Sequence, residues 1–133
     1  MYPKEVYHFL VLHFPIALFS TAFIFDFIYV LTDKKEIKNY VCWTMGMGIL
    51  WGFFSIISGY ITAVELGYIE SFFDIFSKRH PLTMSLCLSY FIILFILRTK
   101  KSINKKILLF FNAFGVGLLM YGAHLGAQWA DRI

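Results

Sequence analysis

Hydrophobic residues run along this chain in four long blocks separated by three short polar stretches. An apolar run of about 20 residues spans the hydrocarbon core of a bilayer at helical rise. Residues 6–31, 40–66, 81–97 and 107–129 form such runs, with separators at 32–39, 67–80 and 98–106. The first and third separators suit tight connections between antiparallel helices. In the second, Phe72, Phe73, Ile75 and Phe76 are interleaved with Ser71, Asp74 and Ser77. That pattern fits a short helix lying in the membrane interface, or an apolar-rich loop with no regular structure. The sequence predicts an all-α integral membrane protein, a four-helix up-and-down bundle forming one domain over residues 1–133, with no internal repeat or long linker.

Composition agrees. Hydrophobic residues make up 59% of the chain and charged residues 15%, and the mean hydropathy is +0.71. A soluble domain carries more charge. The charges also have a pattern. Lys34, Lys35 and Lys38 lie in the first separator, and Arg98, Lys100, Lys101, Lys105 and Lys106 in the third. The remaining cations, Lys4, Lys78, Arg79 and Arg132, are offset by Glu5, Glu65, Glu70, Asp74 and Asp131. Basic loops stay on the cytoplasmic side, so both termini are expected outside. The net charge of +4 is then a matter of topology, and the expected partner is the lipid bilayer rather than nucleic acid. The first apolar run lacks a basic n-region and a small-residue cleavage site, so it is expected to remain as a transmembrane helix. Cys42 and Cys87 show no metal-pair spacing and read as small buried hydrophobes.

This topology brings all four histidines, His8, His13, His80 and His124, to one face of the membrane. Ionisable residues within a span pair with one another, a metal or a cofactor. His8 and His80 form a shallow layer, with Pro81 suiting the first turn of the third helix. His13 and His124 lie deeper, each roughly 10 Å below its helix end, where a polar ring needs a partner. Asp26 lies some 20 Å from His13 along the first helix, beyond reach of that layer, and calls for a local partner or an interfacial place. Glu65 falls at the outer end of the second helix, where it could orient an imidazole or stay solvated. Gly48/Gly52 and Gly122/Gly126 have small-xxx-small spacing, which permits close helix packing or leaves room for a flat macrocycle. Trp43, Trp51 and Trp129 read as interface anchors and packing residues.

The opening stretch, His8-Phe-Leu-Val-Leu-His13-Phe-Pro-Ile-Ala-Leu18, resembles the start of domain-of-unknown-function family 2231, a family of small bacterial membrane proteins. The family pattern is close to HPLLVHFPIAL followed by an aspartate near the helix end. His8 and His13 match its two histidines, residues 14–18 match the next block, and Asp26 suits the aspartate. His80 opening the third helix and Gly122-Ala-His124-Leu-Gly126 extend the likeness over four helices. Phe9 replaces the family's proline, Ser58-Gly59-Tyr60 stands where a glycine and an aspartate are common, and the tail beyond the last glycines differs. The resemblance implies a cytochrome b-like bundle in the bacterial inner membrane that works with redox proteins.

Three functions remain open on the sequence. One is electron transfer through b-type haem, held by His13 and His124, with His8 and His80 as alternate ligands or propionate partners. Covalent attachment is excluded because there is no CxxCH. Adjacent helices 8–10 Å apart leave little room for a ring between two imidazoles, which favours ligands on diagonal helices, such as His13 with His80. The second is a bare Cu, Fe or Zn ion on the same four histidines. The third is a structural or assembly subunit whose histidines bond only to neighbouring helices; redox proteins or further copies of the chain, in a homo-oligomer, are the expected protein partners. No hydrolytic triad, phosphate loop or carboxylate relay is present, so an electron-transfer or binding subunit is expected rather than a stand-alone enzyme.

Overall fold

The computed structural model describes residues 4–130, with side chains described for residues 5–129. The described residues form four α-helices, α1 (Lys4–Thr32), α2 (Lys35–Glu65), α3 (Arg79–Arg98) and α4 (Lys105–Ala130), with a 3-10 turn at Phe72–Phe76 between α2 and α3. All four are long and apolar enough to cross a membrane. Each helix packs on the two beside it, so α1 lies diagonally across from α3 and α2 from α4. One end of the bundle, the terminal end, carries the start of α1, the end of α4 and the 3-10 turn. The other carries the α1–α2 and α3–α4 connections and is the loop end.

The helices run past the apolar blocks. α2 begins at Lys35 rather than at residue 40, so Asp33 and Lys34 alone join it to α1. Hydropathy marks where lipid ends, whereas a helix continues until something breaks its hydrogen bonding. The reversal is made by Asp33 at φ 55°, a left-handed conformation that aspartate tolerates better than most residues. At the other end, Gly67 at φ 73° closes α2. Its amide bonds the Val64 carbonyl at 3.1 Å, and the Tyr68 amide bonds the Ala63 carbonyl at 2.9 Å. This is a Schellman cap, which requires that φ.

The core is a central plug. Phe19 of α1 and Phe91 of α3 stack across the diagonal with centroids 3.8 Å apart and planes 9° from parallel, and Met45, Cys87, Leu94, Leu108 and Leu119 pack around them. Gly48 and Gly52 serve close packing, since a Cβ at Gly48 would stand 2.9 Å from the Phe19 ring and one at Gly52 2.7 Å from Leu88. Cys87 is buried and Cys42 partly so, and both are free thiols. The outer surface is apolar, with Leu10, Ile24, Phe53, Phe110 and Phe114 exposed. Such a surface is stable in lipid and not in water.

Below the plug, on the loop-end side, lies the partner that Asp26 required. Asp26 is fully buried, Arg98 is 7% exposed, and Asn112 is fully buried. Both terminal nitrogens of Arg98 donate to the Asp26 carboxylate, and Asn112 Nδ2 donates to Asp26 Oδ2 at 3.0 Å. Arg98 is thus no loop charge, as its place in the third separator implied. It is the last residue of α3, turned inward to meet α1.

Candidate cofactor cavity

Above the plug, the terminal half of the bundle encloses a cavity of about 600 Å³, within the size range of small-molecule and cofactor sites. Phe19, Leu88 and Leu119 are in its floor, Leu12, Pro15 and Ile16 in the α1 wall, and Ile69 and Ile75 come from the segment joining α2 to α3. Pro15 lies within α1. It lacks the amide that would bond the Val11 carbonyl, so the helix loses one hydrogen bond there.

His8 and His80 both line the cavity, and they sit on diagonal helices. His8 Nδ1 is 3.0 Å from Ser58 Oγ, while the Ser58 hydroxyl donates its one proton to the Ser55 carbonyl at 3.0 Å. Ser58 therefore accepts from His8, and the proton of the neutral ring sits on Nδ1. His80 Nδ1 lies 3.0 Å from the Gly122 carbonyl, which can only accept, so its proton sits on Nδ1 as well. Both rings are left with an Nε2 lone pair, the form that binds a metal.

The two rings are seated alike. A Cβ on Gly59 would stand 2.8 Å from His8 Cε1, and one on Gly126 2.7 Å from His80 Cε1. Each imidazole thus lies against bare helix backbone, that of α2 for His8 and of α4 for His80. The α1–α2 and α3–α4 hairpins repeat one arrangement, although no repeat is legible in the sequence. Trp129 packs its ring 5.9 Å from that of His80 and 5.4 Å from Tyr68, making it a cavity wall as much as an anchor. Trp51 lies in mid-helix, stacked on Phe14 at 4.4 Å, rather than at a span end.

The other two histidines stand differently. His13 also lines the cavity, but its ring is exposed and its Nδ1 bonds the Phe9 carbonyl of its own helix. His124 is exposed and takes a hydrogen bond from Gln128 Nε2 at 3.1 Å. Ala123, Gly126 and Ala127 form the α4 wall of the cavity, and His124 is not among its lining residues. All four histidines do share the terminal end, but the two brought together over the cavity are the shallow ones. Among the described residues, no three His, Cys, Asp or Glu side chains converge as a metal shell. Glu65 ends α2, and Leu66, just after it, lines the cavity. Ser58, Gly59 and Gly126 carry the site's geometry without any ligand chemistry of their own; the Gly122/Gly126 spacing pointed to a close approach there, and nothing in the sequence tied Ser58 and Gly59 to His8.

The 3-10 turn roofs the cavity through Ile75, which packs with Ala63 and Ile69. Asp74 holds this turn in a capping box, accepting from the Ser71 amide at 2.9 Å and the Glu70 amide at 3.0 Å. Those bonds, that from Ser71 first, hold its carboxyl below the usual carboxylate range. The carboxylate is thus bound more tightly by the folded turn than its acid form. The turn gains this support above the ordinary carboxylate pKa and loses it as pH falls through the lowered value. Acidification is expected to speed amide exchange at Glu70 and Ser71 over that window, corrected for intrinsic exchange, and Asp74→Ala to remove the pH dependence. Equal pH profiles for the two proteins would refute the assignment.

A family model described as "Predicted membrane protein (DUF2231)" matches residues 5–133. No curated protein and no solved structure matches the chain.

Proposed function

This chain belongs to the DUF2231 family of membrane proteins, and we propose that it is an electron-transfer protein holding b-type haem between His8 and His80. What carries the reading is the pair of imidazoles on diagonal helices, each with Nδ1 committed to an oxygen and Nε2 free over one apolar cavity. Diagonal placement answers the lack of room between adjacent helices. Haem iron takes two such imidazoles and passes single electrons, at a potential set by ligand identity, hydrogen bonding and burial. The chain's own residues fix the ring planes through Ser58 and the Gly122 carbonyl. Phe19, Leu88 and Leu119 keep the floor of the site apolar, and Trp129 closes the side against His80. In this reading the lysine-rich loop end faces the cytoplasm of a bacterial cell, so the site exchanges electrons with redox proteins on the outer side. The competing reading is a structural subunit, since the same two hydrogen bonds tie helix to helix; such a subunit has no use for the free Nε2 atoms.

Detergent-purified protein, produced with haem supplied, is expected to show b-type absorption bands that sharpen on dithionite reduction, and about one haem per chain by pyridine assay. Colourless protein would overturn the proposal, and metal analysis would then identify or exclude a bare ion. A smaller change tests the seating of the rings. Gly126→Ala raises intrinsic helix propensity by about 1 kcal/mol, yet its methyl collides with His80. It is expected to lower haem retention while far-UV circular dichroism is unchanged. Full retention would show that His80 is not held where the ligand needs it.

A further inference from the structure

A second pocket, of about 210 Å³, opens at the loop end. Its wall contains Lys38 of α2, Arg98 at the end of α3, Lys100 and Lys101 of the following connection, and Lys105 of α4. Tyr29, Cys42, Ile103 and Leu108 complete it, and no acidic side chain is among the lining residues. Two carboxylates stand behind this wall. Asp26 pairs with Arg98, and Asp33 with Lys105 at 2.7 Å. They leave the charge of Lys38, Lys100 and Lys101 in excess. The guanidinium of Arg98 is also not fully used, because its buried Nε meets no hydrogen-bond acceptor among the described residues. An unmet buried donor is costly, and the three cations left in excess around a small void repel one another unless an anion sits among them.

The site lies where an apolar helix bundle meets its polar loops, which is the depth of lipid phosphates. Basic pockets between transmembrane helices take anionic head groups. We propose that this pocket is a phosphate site, with a phosphodiester or phosphate oxygen set among Lys38, Lys100 and Lys101 and the Arg98 guanidinium in its wall. The ligand is the head group of an anionic phospholipid or free inorganic phosphate, which share this chemistry. The site is independent of the histidine cavity, from which the Phe19–Phe91 plug separates it.

The test is native mass spectrometry of the full chain from mixed micelles of phosphatidylglycerol and phosphatidylcholine, with a parallel thermal-shift titration by inorganic phosphate. The variant K38Q/K100Q/K101Q removes three pocket lysines. The control K34Q/K35Q/K106Q removes the same charge from the same end but outside the pocket lining. Wild type and control are expected to retain phosphatidylglycerol over phosphatidylcholine, with a roughly hundred-fold loss in the pocket variant. If phosphate protects wild type and control but not the pocket variant, without lipid preference, the source is free phosphate and the site stands. Equal behaviour of the two variants in both arms, or no preference and no protection in wild type, would overturn it. Unfolding of each variant without ligand, followed by tryptophan fluorescence, reports whether the fold is intact.

Discussion

Alanine in place of His80 is expected to abolish haem binding, and His8→Ala to do the same, while His13→Ala and His124→Ala leave the b-type spectrum in place. Among the described residues, His8 and His80 are the histidines on diagonal helices whose Nδ1 atoms are both engaged by another helix, with both Nε2 atoms free. In the proposed reading, loss of either would remove one of the two side chains that hold the iron. Ser58→Ala removes only the acceptor that orients His8, and is expected to weaken haem affinity about 10–100-fold, as loss of an outer partner does. None of these changes should unfold the bundle, because an interhelical hydrogen bond within a membrane contributes about 1 kcal/mol. The measurement is haem content and the reduced-minus-oxidised spectrum of each variant, with folding checked by circular dichroism. If His13→Ala and His124→Ala bleach the protein and His8→Ala and His80→Ala do not, the deeper pair holds the iron and the assignment to the shallow pair fails.

The largest loss of stability is expected from breaking the Asp26–Arg98 pair on one side. Asp26→Ala leaves a buried guanidinium without its carboxylate, and Arg98→Ala leaves a carboxylate with Asn112 alone. Removing one partner of a buried ion pair costs about 3–5 kcal/mol, whereas exchanging both for apolar residues of similar size is often neutral. Asp26→Leu with Arg98→Met should therefore recover most of what either single change loses. Thermal or denaturant unfolding in one detergent would measure all three. Additive losses in the double variant would mean that the pair is not coupled. The Arg98 change also reaches the loop-end pocket, since its guanidinium walls it. Phosphate or lipid retention should consequently fall with Arg98→Ala, and should stay lost in the stable double variant.

Why Asp26 needs Arg98 illustrates how far the sequence reaches. An acid within an apolar run announces that a partner exists. It does not say which of eight basic residues near the separators supplies it, because Asp26 and Arg98 are 72 positions apart. Arg98 looked like a loop charge because hydropathy falls there, yet α3 continues through it and turns it inward. Asn112, an amide near the start of the last apolar block, is a second polar group of the same kind. With Arg98 counted inside, seven lysines still mark the loop end, so the expected orientation keeps its basis.

The histidines divide in the same way. Depth along a helix follows from rise per residue, and it brought all four to the terminal end. Which way each ring faces depends on how the helix is rotated about its axis in the bundle, and that is set by side chains elsewhere. The Phe19–Phe91 stack and the close approaches at Gly48 and Gly52 of α2 and at Gly115 and Gly122 of α4 fix the rotation. With it fixed, α4 presents Ala123, Gly126 and Ala127 to the cavity and turns His124 out, while α1 and α3 bring His8 and His80 over it. Four apolar blocks, their helical state, the family motif and the sharing of one end by four histidines were therefore settled by the sequence, because hydropathy and helical rise act along the chain. The placing of His8 and His80 over one cavity, the proton positions set by Ser58 and Gly122, and the Asp26–Arg98–Asn112 cluster were decided only by the tertiary structure, because each depends on contacts between segments that packing alone brings together.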